Sequence, residues 1–297
     1  MPQGLIPAKL SAPRPQNAVE RSRLFDRLDA PPGRFWICGP GGSGKTFLAA
    51  SWLARRGHRT LWVQLDEDDG EPRTLFHYIA AAFAVIAPKH AARIAALARA
   101  APREKVGSFA RGFFRKMFEL APARTALAFD HVQAIADRPG ALEALAVLVG
   151  EAPPGIPVLL MSRTELPARF AALRAREEIA VLDWQQLRLT LEESAQLLCA
   201  RRARSEVEPL HNLSDGWAAG LVLMSEWLEP RQIALPYPGV QRDALFDYFA
   251  HEFVHGVTPE VRDFLFAAAQ LPSMATEAAA AVSGNARADD AFRFVAT

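Results

Sequence analysis

Short apolar runs and longer amphipathic ones alternate through the first two thirds of the chain. Phe35 to Cys38, Thr60 to Leu65, Ala126 to Asp130, Pro157 to Ser162 and Glu178 to Leu182 each read as a buried strand bounded by polar or turn-forming residues. Helical periodicity opens near Arg73 and again near Gly140. Strands that are apolar throughout and separated by helices belong in a parallel sheet covered on both faces, a doubly wound α/β layer. Ligands of such sheets lie at the carboxyl ends of the strands. Asp66, Asp130 and Arg163 each fall at or just past such an end.

From Leu191 onward the strand signal stops. LEESAQLLCARRA follows Thr190 and places Glu193 three residues on, the spacing of a capping box, so it reads as an amphipathic helix. Ser214 to Leu228 reads as continuing helix. Residues 229 to 241, EPRQIALPYPGVQ, hold three prolines and a glycine and read as a linker. Beyond it LFDYFAHEFVHGV is helical, and Thr258 and Thr276 cap two further helices.

The first strand runs into Gly39-Pro40-Gly41-Gly42-Ser43-Gly44-Lys45-Thr46, and a helix follows from there through Phe47. Strand, GxxxxGK[ST] and helix in that order are the pattern of a phosphate-binding loop. Its glycines let consecutive backbone N–H groups turn toward phosphate oxygens, and the helix N-terminus adds a positive dipole end. Lys45 is expected to reach the β- and γ-phosphates, and the Thr46 hydroxyl to coordinate Mg2+. Asp130 reads as a second carboxylate on the magnesium side, with a strand-end turn aspartate as the alternative. Arg163 reads either as a sensor of the γ-phosphate or as a surface arginine.

Several further stretches, taken in order, resemble the MalT-like branch of the STAND signal-transduction ATPases, a group that includes LuxR-type transcriptional activators. They are KLSAPRPQNAVERSRLFDRL, the phosphate loop, LWVQLDEDDGEPRTLFHYI, LAFDHVQAI, VLLMSRTELP, LRLTLEESAQLL and LSDGWAAGLVLM. The resemblance implies an α/β P-loop NTPase domain over 1–188, a small helical domain and linker over 189–236, and a winged-helix-like domain, incomplete, over 237–297. It also implies ATP/ADP and Mg2+ as ligands, Asp130 as the Walker B aspartate, and Arg163 as the sensor arginine. Arg21 is placed near the base or phosphates, with a helix-flanking arginine as the alternative. Gly216 and Trp217 are implied to form a bend that packs a helix beside the nucleotide; a plain core aromatic is the alternative for Trp217.

One position departs from the family pattern. A second acid usually follows the Walker B aspartate, and here it is His131. Neutral imidazole is a weak base, so His131 either serves in that role or is inert. The loop Asp66-Glu67-Asp68-Asp69 is then either a solvated turn or the source of a substitute acid. Slow hydrolysis is expected, which a switch tolerates because it needs only different binding of ATP and ADP to two conformations.

Composition narrows the partners. With 34 basic and 33 acidic residues among 297, the chain as a whole has no electrostatic footprint for nucleic acid or an anionic membrane. Residues 257 to 297 carry three arginines against five acids, the wrong sign for tracking phosphates, so no direct DNA binding is expected of this segment. The most apolar run, Leu75 to Ala87, is too short to span a membrane. Two cysteines and no zinc spacing suit a reducing, cytoplasmic setting. The expected function is an ATP/ADP-binding switch module of a transcriptional regulator that self-associates when ATP is bound. The alternatives are an active ATPase or phosphoryl-transfer enzyme, and an interaction scaffold with a degenerate nucleotide site.

Overall fold

The computed structural model describes residues 7–14, 19–199 and 204–228, all within one compact unit, Met1–Gln232. The linker and winged-helix expectations, residues 229–297, lie outside the described residues.

Five parallel strands form the sheet: β1 (Arg34–Cys38), β2 (Arg59–Gln64), β3 (Thr125–Asp130), β4 (Val158–Ser162) and β5 (Ala180–Leu182). Their order is β2-β3-β4-β1-β5, so the chain leaves β1 for the far edge and works its way back. The helices are α1 (Ser22–Asp29), α2 (Lys45–Arg55), α3 (Pro72–Ile86), α4 (Ala91–Arg99), α5 (Val106–Glu119), α6 (Pro139–Glu151), α7 (Ala171–Ala175), α8 (Trp184–Leu187), α9 (Leu191–Leu198), α10 (Arg204–Ser214) and α11 (Ala218–Leu228). This is the expected α/β P-loop fold.

Successive strand residues feed opposite layers, as the period of two requires. Trp36, Leu61, Val63, Leu127, Phe129, Val158 and Leu160 enter the core with α3, α5 and α6, while Phe35, Ile37, Trp62, Ala126, Ala128, Leu159 and Met161 enter the core with α1 and α2. In β3 the small residues Ala126 and Ala128 face the layer of α2, while the large Leu127 and Phe129 face the other. That asymmetry lets the helix behind the phosphate loop approach the sheet closely. Every residue of β3 is buried, which explains its unbroken apolar run.

Helices α4 and α5 fill the stretch between α3 and β3, where no element was expected. The α5 sequence contains Gly107 and Gly112, each costing about 1 kcal/mol relative to alanine in a helix interior. Burial of Phe113, Phe114 and Met117 beside Phe76 outweighs this, at about 1.5–3 kcal/mol for each large side chain. The capping box at Thr190 is present: its hydroxyl accepts from Glu193 N–H at 3.2 Å, and Thr190 N–H donates to the Glu193 carboxylate at 3.1 Å.

One expected helix is not continuous. Between α10 and α11 the chain breaks at Asp215 (φ 51°) and Gly216 (φ 70°), and the apolar pattern of Ser214 to Leu228 belongs to the end of one helix and the whole of the next. A Cβ on Gly216 would lie 2.7 Å from Leu189 O, so the corner requires glycine. Leu189 N–H donates to Gly216 O at 2.9 Å, and the Arg188–Asp215 ion pair at 2.7 Å closes the turn.

Candidate functional site

The loop from Gly39 to Gly44 joins β1 to α2, and Gly44, the residue before that helix, has φ 83°. Gly42 also has positive φ, 70°. The Lys45 ammonium folds back on this loop, donating to Gly39 O at 2.7 Å, Pro40 O at 2.8 Å and Ser43 Oγ at 3.2 Å. These three bonds use its three donors, all on neutral oxygens. Burial lowers the Lys45 ammonium below its usual value, and Arg163 adds to that while Asp130 opposes it. The loop therefore holds a partly desolvated positive charge that no carboxylate neutralises directly.

Next to it, Thr46 Oγ1 donates to Asp130 Oδ2 at 2.8 Å, and His131 N–H donates to Asp130 Oδ1 at 2.9 Å. Thr46 and Asp130 bring two hard oxygen donors together beside the phosphate loop. Among the described residues no cluster of three His, Cys, Asp or Glu side chains could hold a metal on its own. The pair fits Mg2+, which keeps several waters and shares its shell with phosphate oxygens.

Arg163 follows β4 directly. Its backbone N–H donates to Gln133 Oε1 at 3.0 Å, and a Cβ placed on Gly41 would lie 3.8 Å from its Cζ, which puts the guanidinium against the phosphate loop. Arg21 approaches the loop from α1. It is buried, donates to Leu187 O, lies 3.5 Å from Glu193 Oε2, and its Nη1 would be 3.7 Å from a Cβ on Gly44. Burial pushes its guanidinium down to about 10, against the pull of Glu193, so it stays charged at neutral pH.

The start of α11 is fastened to the same loop. Trp217 Nε1–H donates to Gly41 O at 2.9 Å, and Ala219 N–H donates to Gly42 O at 3.0 Å. A Cβ on Gly42 would sit 2.4 Å from the Ala219 Cβ, so glycine is needed there for close approach as well as for φ.

These elements enclose a cavity of about 730 Å³. Of the expected site residues, Arg21, Gly41, Gly42, Ser43, Gly44, Lys45, Thr46, Phe47, Asp130, His131 and Arg163 line it. Gly39, Gly216 and Trp217 do not: Gly39 packs against Leu187 and Ser43, Gly216 packs against Leu189 and Arg188, and Trp217 bonds the loop at Gly41 O. Sequence reasoning missed Gln64 and Gln133 at the polar end, and Val19, Leu189, Leu197, Val222 and Leu223 along the apolar wall. The signal for Gln64 was present, as the polar residue near the close of an apolar strand. The apolar wall had none beyond ordinary helical periodicity.

The acidic loop after β2 goes elsewhere. Lys9 donates to Asp66 Oδ2 at 2.7 Å and to Asp69 Oδ2 at 2.8 Å, with its ammonium 3.9 Å from the Tyr78 ring centroid. Asp66, Glu67 and Asp68 rim a separate polar cavity with Arg138, and none of the loop's acids lines the cavity of the phosphate loop. Of the two readings of this loop, solvated turn or substitute acid, the geometry lends nothing to the second: the loop is a turn clasped by Lys9.

Comparison with known proteins finds MalT regulators among the relatives of this chain. The chain is 30% identical over 284 residues to the HTH-type transcriptional regulator MalT of Serratia proteamaculans, covering 91% of this chain and 31% of the relative. It is likewise 30% identical over 297 residues to the MalT of Cronobacter sakazakii, covering 94% of this chain and 32% of that one. The chain thus spans about a third of the length of the curated relatives it matches. No protein-family model matches it. Among solved structures, the Aeropyrum pernix Orc1 protein in complex with DNA aligns with a TM-score of 0.41 and 15% identity, over 94% of this chain and 79% of that one.

Proposed function

We propose that this chain, homologous over nine-tenths of its length to MalT transcriptional regulators, is an ATP- and ADP-binding regulatory switch module with slow hydrolysis. The observation that carries the reading is the double fastening of α11 to the phosphate loop through Gly41 O and Gly42 O. A phosphate drawn into the loop engages the N–H groups of the same peptide segment whose carbonyls hold Trp217 and Ala219. Loop occupancy and the seating of α11 are therefore mechanically linked.

In this reading the backbone of Gly41 to Thr46 and the Lys45 ammonium hold the phosphates, Thr46 and Asp130 hold Mg2+, and Arg163 faces the terminal phosphate. When bound, the ion supplies charge neutralisation across the phosphate oxygens. Arg21 ties the loop to α8 and α9 through Leu187 O and Glu193 and places a charge beside Gly44. Val19, Leu48, Leu189, Leu197, Val222 and Leu223 offer the apolar surface a base requires. Self-association in the ATP state, a nucleotide-binding domain over 1–188 with a helical domain over 189–236, and a winged-helix unit over 237–297 complete the proposal. DNA contact is assigned to no part of this chain.

Thermal unfolding with Mg2+ and either ADP, ATP or a nonhydrolysable ATP analogue tests it, with phosphate release followed over hours. Ligand at a hundred times its Kd should stabilise the fold by ~2.7 kcal/mol. ADP and the analogue are expected to stabilise unequally, with little phosphate released. No stabilisation by any nucleotide would leave a scaffold with a degenerate site, and release at roughly 1–100 s⁻¹ would make the protein a working ATPase. Trp217→Phe keeps the ring but drops the indole N–H. It should reduce the difference between the ADP and analogue shifts while leaving the unliganded melting point nearly in place.

A further inference from the structure

We propose that Gln133 is a positioning residue for Arg163: its side chain holds the main chain after β4 so that the guanidinium stays flat against the phosphate loop, with its N–H groups free for a terminal phosphate. The proposal rests on the nucleotide-binding reading of the site and deepens it by naming what fixes the arginine in place.

The sheet brings the two residues together. β3 and β4 are hydrogen-bonded neighbours, so the turn that follows β3, Val132–Ile135, lies beside the chain leaving β4. Val132 and Ile135 are buried and anchor that turn, while Gln133 between them lines the cavity, as Arg163 does. Arg163 N–H donates to Gln133 Oε1 at 3.0 Å. A backbone N–H can only donate, so the carboxamide oxygen is the atom that faces it.

The arginine side chain has no anchor of its own. A Cβ on Gly41 would lie 3.8 Å from Arg163 Cζ and 3.9 Å from both Nε and Nη2. A point in the guanidinium plane cannot be so nearly equidistant from those three atoms at that range, so the face of the group meets the loop and its edge does not. The N–H groups lie in the plane, directed away from this contact. Among the described residues none of them is given to an acceptor. Where the guanidinium sits is therefore decided by its main chain. That corner is tied by Gly39 N–H to Ser162 O at 3.3 Å, Thr164 N–H to Ser162 Oγ at 3.1 Å, Trp36 Nε1–H to Thr164 O at 3.0 Å, and Arg163 N–H to Gln133. Of these ties, the one to Gln133 alone falls on Arg163 itself, and it alone comes from a side chain that lines the cavity.

Exchange of the Arg163 N–H with solvent, followed by 15N-edited NMR without nucleotide, reads the positioning. Gln133→Leu removes the acceptor and should speed exchange at least ~10-fold, whereas Gln133→Glu keeps an acceptor and should stay within about threefold of the parent. Calorimetric titration with Mg2+ and either ADP or a nonhydrolysable ATP analogue then reads the consequence. Gln133→Leu should lose roughly fivefold in analogue affinity while its ADP affinity holds within about twofold. In an Arg163→Ala background the same substitution should shift neither ligand by more than about twofold, because the group it positions is gone. Equal loss of both ligands, or a loss that persists without the Arg163 side chain, would give Gln133 a merely structural role and overturn the assignment. Exchange unmoved by Gln133→Leu, or equally fast in Gln133→Glu, would overturn it too. Exchange that responds as expected in a protein whose parent form binds neither nucleotide would instead count against the nucleotide-switch reading.

Discussion

Two lysines stand near the carboxyl end of the same sheet, and their surroundings divide the labour between them. Lys45, after β1, gives its three hydrogen bonds to neutral oxygens of Gly39, Pro40 and Ser43, and burial lowers it. Lys9, beside the loop after β2, is bound by the carboxylates of Asp66 and Asp69. Burial alone would lower Lys9 too, but the hydrogen bonds and charges of those acids outweigh it and hold it above its usual value. A desolvated cation held only by dipoles keeps a charge that an incoming anion can satisfy. A cation matched by two carboxylates has none to spare, and what it does is hold the fold together. The identity of a residue does not decide its role; the sign of what surrounds it does.

The sharpest way to break this contrast is Lys45→Ala. Loss of the uncompensated charge should weaken ADP and ATP binding by at least ~3 kcal/mol, roughly a hundredfold, in calorimetric titration. The unliganded fold should change by less than about 1 kcal/mol, because the removed ammonium was itself costly to bury. Unchanged nucleotide affinity in this variant would end the assignment of Lys45 to phosphate.

How much of this was legible beforehand follows the same division between local and distant causes. The strands were legible because full burial on both faces leaves an apolar run that needs no partner to be recognised, and β3 is the clearest case. The phosphate loop was legible because glycine spacing, Lys45 and Thr46 all lie within eight residues. Helix α5 was not, because its two glycines speak against a helix and only packing against Phe76, from another helix, reverses that. The break at Asp215 and Gly216 was hidden by an apolar pattern that runs through it, although the glycine bend itself was implied by family resemblance. The role of the acidic loop stayed open between a turn and a substitute acid because the partner that decides it, Lys9, lies 57 residues from Asp66 in sequence. Gln64 carried a local signal, a polar residue closing an apolar strand, but its place beside the site comes from register pairing with Asp130 on the neighbouring strand.

Lys9→Met should produce the complementary phenotype at smaller cost. Asp69 has no exposed side-chain surface, and removing its cation leaves a buried carboxylate that is hydrogen-bonded only to Asp66 N–H at 2.9 Å. Breaking one partner of a fully buried pair costs about 3–5 kcal/mol. Because the Lys9 side chain keeps 17% of its surface exposed, solvent screening should bring this to about 1–3 kcal/mol in chemical denaturation. Nucleotide affinity should hold within about twofold. A Lys9 variant that loses binding as severely as Lys45→Ala would erase the distinction between the two lysines.

The smallest effect belongs to Asp66→Asn, and its pH dependence is the more telling part. The Asp66 side chain is 56% exposed, so at neutral pH the lost half of the clasp should cost no more than about 1 kcal/mol. Lys9 holds the Asp66 carboxyl below its ordinary value of 3.8, outweighing the effect of the residue's own burial. A carboxyl lowered in the folded state contributes stability that is present above the unfolded value and lost as pH falls through the folded one. The stability gap between parent and variant should therefore be widest at neutral pH and close progressively as the pH drops below about 3.8. Urea denaturation at pH 7 and pH 3 reads both ends, and a gap that stays constant would mean that Asp66 acts through the geometry of its turn and not through its charge on Lys9.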